Sequence, residues 1–78
     1  MARRTAGQKL RAWRKSRGVT QDELARELGF AHQPAIAKRE ADVVAMDETA
    51  LIEAMAAVAR IAKRKAEEIT LEGVLAGE

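Results

Sequence analysis

Apolar residues recur at helical spacing in four segments of the chain, each bounded by glycine, proline or a capping residue. In the first, Leu10, Trp13, Arg14 and Arg17 fall at i, i+3, i+4 and i+7 on one face, with Thr5 as the N-cap. Gly18 ends this helix, because glycine readily takes the left-handed conformation just past a helix terminus. Arg14, Lys15 and Arg17 suit the negative pole of the macrodipole there. Thr20-Gln21-Asp22-Glu23 is a capping box, in which the Thr hydroxyl and the Glu carboxylate each satisfy an orphaned backbone N–H. Leu24, Ala25 and Leu28 give the second helix its apolar face, Gly29 ends it, and Phe30 is expected as a buried plug.

Pro34 dates the start of the third helix, since its missing N–H is harmless at the first helical position, with Gln33 or His32 as the cap. Ile36 is the only large apolar residue in this helix. Most of its surface therefore faces something other than its own core. Residues 41–46 read as a connector whose Val43, Val44 or Met46 cover the core edge, and Asp47 caps a fourth helix. From 48 to about 69 there is no Gly or Pro, which makes a helix of roughly 33 Å. Leu51, Met55, Val58, Ala62, Lys65 and Ile69 follow alternating steps of four and three, the seam spacing of packed helices, with Lys65 as its flaw. Residues 1–58 are expected to form the compact domain, and 59–78 an extension of the fourth helix and a tail. Val58, Ala62, Lys65 and Ile69 are then the candidate dimer interface, the alternative being a solvated, fraying tail. The stretch 70–78, with two Gly, fits a short helical turn or disorder.

Composition narrows the function classes. With 78 residues, the chain holds one small domain. The absence of Cys removes disulfides and thiolate metal sites, and one His leaves no imidazole cluster. Two aromatic residues, Trp13 and Phe30, and abundant Ala suit closely packed helices, so the fold class is all-α. No nucleophile–base pair, carboxylate pair or phosphate-binding glycine loop points to an enzyme, and nothing calls for a cofactor. No apolar run approaches the roughly 18 to 20 residues that span a bilayer, so a cytoplasmic protein is expected. Charge is uneven: residues 1–40 carry ten Lys/Arg against four acids, and residues 41–78 carry four against eight, giving +6 and −4. A basic half fits a polyanionic partner, and the alternative is that the charges only solvate helix faces.

Two short helices around Gly29, preceded by a capped helix, form a helix-turn-helix pattern. Residues 10–30, with the core Arg17-Gly18-Val19-Thr20-Gln21 followed by Glu23-Leu24-Ala25 and Leu28-Gly29-Phe30, and continuing through Gln33, Ile36 and Glu40, resemble the Cro/repressor-type (xenobiotic-response-element) helix-turn-helix transcriptional regulators. The resemblance covers about half the chain. It implies a lambda-repressor-like domain that lays its third helix in the major groove of double-stranded DNA, with His32, Gln33, Ala35 and Lys38 nearest the bases. Gln33 suits bidentate pairing with adenine, Lys38 a guanine or phosphate, Ala35 a thymine methyl, and His32 a phosphate, a base or only a cap. Gln21 takes the place that contacts phosphate at the start of helix two. Arg11, Lys15, Arg17 and Arg39 are further phosphate candidates, and Arg3 and Arg4 a basic arm. The resemblance also pairs Arg14 with Glu40 as a structural ion pair.

This sequence departs from the family pattern in helix three. The stretch from Gly29 to Ile36 is one residue longer than is common, Pro34 and Ala37 replace hydroxyl residues, Arg39 replaces an apolar one, and no Gly follows Glu40. The implied function is a small repressor acting as a homodimer on a pseudo-palindromic operator. The alternative is a protein-interaction module that keeps this fold, such as the antitoxin partner of a toxin.

Overall fold

The computed structural model of the chain describes residues 4–31 and 34–75. It is all-helical, with α1 (Ala6–Ser16), α2 (Gln21–Glu27), α3 (Pro34–Glu40) and α4 (Glu48–Leu75) and, among the described residues, no strand. Both expected N-caps form full capping boxes. Thr5 Oγ1 accepts from Gln8 N while Gln8 Oε1 accepts from Thr5 N, and Thr20 and Glu23 do the same for α2. Asp47 Oδ1 accepts from Ala50 N, 2.7 Å away, at the start of α4. Gly18 (φ 67°) and Gly29 (φ 78°) supply the left-handed turns after α1 and α2.

Leu10 from α1, Val19, Leu24 and Ala25 from α2 and its entry, Ile36 from α3, and Ala54, Ala57, Val58 and Ile61 from α4 form the buried core. Trp13, Leu28, Met46, Leu51, Met55 and Ala62 ring it, and Trp13 Nε1 donates to Met55 O across 3.0 Å, fastening α1 to α4. Both α3 and α4 pack on α1 and α2. Phe30 packs on the core but stays half-buried at its rim and is not a fully covered plug, with Arg39 lying over its ring. Of the connector residues only Met46 packs on the core; Val43 is 72% exposed and Val44 38%.

The end of α3 explains the missing glycine. Asp42 itself takes the left-handed conformation (φ 61°), and Val43 N returns to Lys38 O, which closes the terminus. Its carboxylate then reaches α1, accepting from Thr5 Oγ1 (2.6 Å) and Gly7 N (3.3 Å). Gly7 permits that approach, since a Cβ there would run into the carbonyl oxygens of Arg39 and Glu40.

The fourth helix starts after Asp47 as expected and, of the two alternatives for the stretch from residue 70, takes the helical one as far as Leu75. It continues through Gly73 to Leu75, 28 residues or about 42 Å. The radius of gyration, 14.4 Å, exceeds the about 11.5 Å of a compact chain this long, as a projecting helix requires. Val58 is wholly buried and Ala62 packs on the core. Lys65 Nζ donates to Gly18 O (2.8 Å) and to Glu23 Oε1 (2.6 Å). Val58 is therefore closed to any second copy, and Ala62 and Lys65 are half-covered by the chain's own domain, while Ile69, 70% exposed, lies beyond it. A boundary at 58/59 fails for the same reason. Ile61 is a core residue, and Glu27 holds both Arg60 and Arg64, so α4 is tied down as far as Lys65. The acidic side of α2, through Glu23 and Glu27, supplies the surface on which this part of α4 rests.

Candidate nucleic-acid interface

Arg14 and Glu40 organise the inner side of α3. The guanidinium meets the carboxylate in bidentate fashion, Nε to Oε2 at 2.7 Å and the terminal nitrogen to Oε1 at 2.9 Å, with the residues only 7% and 6% exposed. Arg14 also donates to Val19 O (2.9 Å), so one buried cation joins α1, the entry to α2 and the end of α3. Gln21 Nε2 completes the cluster by donating to Glu40 Oε1 at 3.0 Å. Gln21, proposed from the resemblance as a phosphate ligand, is thus half-buried and drawn toward this ion pair.

With Ile36 and Glu40 turned inward, Pro34 and Lys38 lie exposed on the outer side of α3, flanked by half-buried Ala35 and Ala37. Gln33, the strongest candidate for a base contact, lies outside the described residues, as do His32 and Arg3. Arg11, Lys15, Thr20 and Gln21 line one open groove between α1 and the start of α2, and Arg4, Gln8, Arg11 and Lys15 line the next. The structure therefore brings Arg4, Arg11 and Lys15 into one exposed basic strip that runs up to Gln21. Asp22, at the edge of the same groove, pairs with Arg26 at 3.1 Å.

Two of the expected phosphate ligands do not join the strip. The Arg17 guanidinium lies over the Trp13 ring, 3.2 Å from its centroid, and donates to Ser16 Oγ at 2.9 Å. Arg39 lies over Phe30 at 4.5 Å and donates to Ala35 O at 2.8 Å. Each cation has an aromatic face within reach on its own domain, and the ring quadrupole together with a local acceptor holds it there. The i, i+4 spacing of Trp13 and Arg17 already offers the first of these contacts, whereas the approach of Arg39 to Phe30 needs the fold. Arg4, expected only as part of a basic arm, precedes Thr5, and the Thr5–Gln8 spacing is the signal that could have placed it, since the capping box formed there holds the chain just before α1 against the helix.

On the far side of α2, hydrogen bonds from Lys65 and the Thr20 backbone hold the Glu23 carboxyl below its usual value of 4.5. Arg64 and then Arg60 do the same to Glu27. These pairs fix α4 and lie away from the basic strip. Among the described residues no group of three His, Cys, Asp or Glu is placed to hold a metal ion, and no helix is long and apolar enough to cross a membrane. No protein family, curated protein or solved structure matches the chain.

Proposed function

We propose that this chain is a sequence-specific DNA-binding regulator that inserts α3 in the major groove and acts as a homodimer on a two-fold related site. One observation carries the reading: α3 is locked on its inner side by the Arg14–Glu40–Gln21 cluster, its outer side, with Lys38, lies exposed, and the Arg4–Arg11–Lys15 strip runs up to Gln21 of that same cluster. A rigidly held helix with small residues flanking its exposed edge fits a groove closely, and a row of cations running up to the same cluster suits the phosphates that border that groove. The resemblance over residues 10–40 supports the same reading, and so does the charge of +6 in residues 1–40.

The test is a selection of genomic or random duplexes by the purified protein, followed by anisotropy titrations of the enriched duplex and a scrambled one at two salt concentrations. The enriched duplex is expected to bind about 10³-fold or more tighter than the scrambled one at physiological salt. Equal binding of both, collapsing with salt, would leave a generic basic surface and overturn the reading.

A further inference from the structure

The face of α4 turned away from the core carries a second seam. Ile52, Ala56, Ala59, Lys63, Ala66, Thr70 and Gly73 alternate in steps of four and three, and every one of them is exposed. This is the spacing of a helix that packs along another helix, sustained over about 32 Å. The chain's own domain covers none of it, and an apolar groove lined by Lys63, Ala66, Glu67, Thr70 and Leu71 opens on it. Ile52, at its start, is 58% exposed, and Ile69, flanking it, is 70% exposed.

We infer that this face is covered by the same face of a second copy, running antiparallel, with the two-fold axis between residues 64 and 65. The inference rests on the homodimer part of the function proposed above and names its interface. Charge decides both occupant and direction. A parallel, in-register pair would stack Lys63 on Lys63 of the second copy, two like charges in the seam. The antiparallel arrangement sets Lys63 against Ala66, Ala59 against Thr70 and Ala56 against Gly73, twice each by symmetry. Small residues then allow close approach from Ala56 to Gly73. The same register brings Arg60 and the Lys63 ammonium beside Glu67 of the other copy, and lays Ile69 across Ala62, so the flanking charges are self-complementary and the exposed isoleucine is covered. Arg60, 55% exposed even while it pairs with Glu27, retains donors for a second carboxylate. None of these residues belongs to α3 or to the basic strip, so pairing through α4 leaves the proposed DNA face uncovered.

Sedimentation equilibrium of the full chain and two variants tests this, with circular dichroism to confirm helicity. Ala66→Lys places a lysine opposite Lys63 at both symmetric positions and is expected to weaken the dimer by about tenfold or more while the fold persists. Lys63→Glu combined with Ala66→Lys makes those positions complementary and is expected to restore the dimer, a rescue that a parallel pair cannot give. A wild-type dimer that Ala66→Lys leaves intact, or a loss that the double variant fails to restore, overturns the seam while homodimerisation stands. A wild-type monomer across the micromolar range overturns both, and the DNA titrations above then stand alone as the test of DNA recognition.

Discussion

Single residues set the stiffness of this small domain. Glu40→Ala would strand the Arg14 guanidinium where only Val19 O remains to receive it, and removal of one partner from a buried ion pair costs about 3 to 5 kcal/mol. Urea denaturation is expected to show that loss. The paired replacement Arg14→Met with Glu40→Leu is expected to recover most of it, since no uncompensated charge is then buried. Gly7 makes a sharper prediction because its sign is unusual. In most helix interiors Gly→Ala stabilises by about 0.5 to 1 kcal/mol, but here the new methyl meets the backbone of α3, with the Glu40 oxygen 2.6 Å away. A net destabilisation of about 1 to 2 kcal/mol is expected in the same experiment; a gain in stability would show that α1 and α3 are not held at this distance.

At the level of elements, the acidic side of α2 straps α4 to the domain through Glu23 and Glu27. Both carboxyls titrate below 4.5 in the folded chain. Their contribution is therefore whole above that value and is lost as the pH falls through the depressed folded values. Amide exchange in α4 beyond Ile61 is expected to rise over that acid range while the core half of the helix stays protected. Uniform protection down to full protonation would show that the pairs hold nothing. The element boundaries were largely legible in the sequence, because Thr5, Thr20, Gly18, Gly29, Pro34 and Asp47 each have one local job that tertiary context did not override. The end of α3 was not, since Asp42 does there what glycine usually does. Nor was the orientation of α4 fully legible. Leu51, Met55, Val58, Ala62, Lys65 and Ile69 run parallel to a second seam one residue along, and on an Ala-rich helix spacing alone does not say how far the domain reaches along the first.

For the whole molecule, the same distinction separates the basic residues that count from those that do not. Arg11 and Lys15 stay exposed along one strip, whereas Arg17 and Arg39 fold over Trp13 and Phe30. The charge asymmetry was visible in the sequence, and so was the i, i+4 spacing of Trp13 and Arg17, but the approach of Arg39 to Phe30 required the fold. Replacing Arg11 and Lys15 by Ala is expected to lower the slope of log affinity against log salt by about 2 and to weaken all duplexes alike, while the Arg17→Ala slope stays at the wild-type value. In the function proposed above, the exposed side of α3 and the basic strip that runs up to Gln21 form the DNA face. A titration of the isotope-labelled chain with its selected duplex, followed amide by amide in a heteronuclear NMR spectrum, tests that claim most directly. The largest shifts are expected in α3 and at Arg11, Lys15 and Gln21, with residues 66–73 of α4 unmoved; shifts centred on α4, with α3 silent, would contradict it.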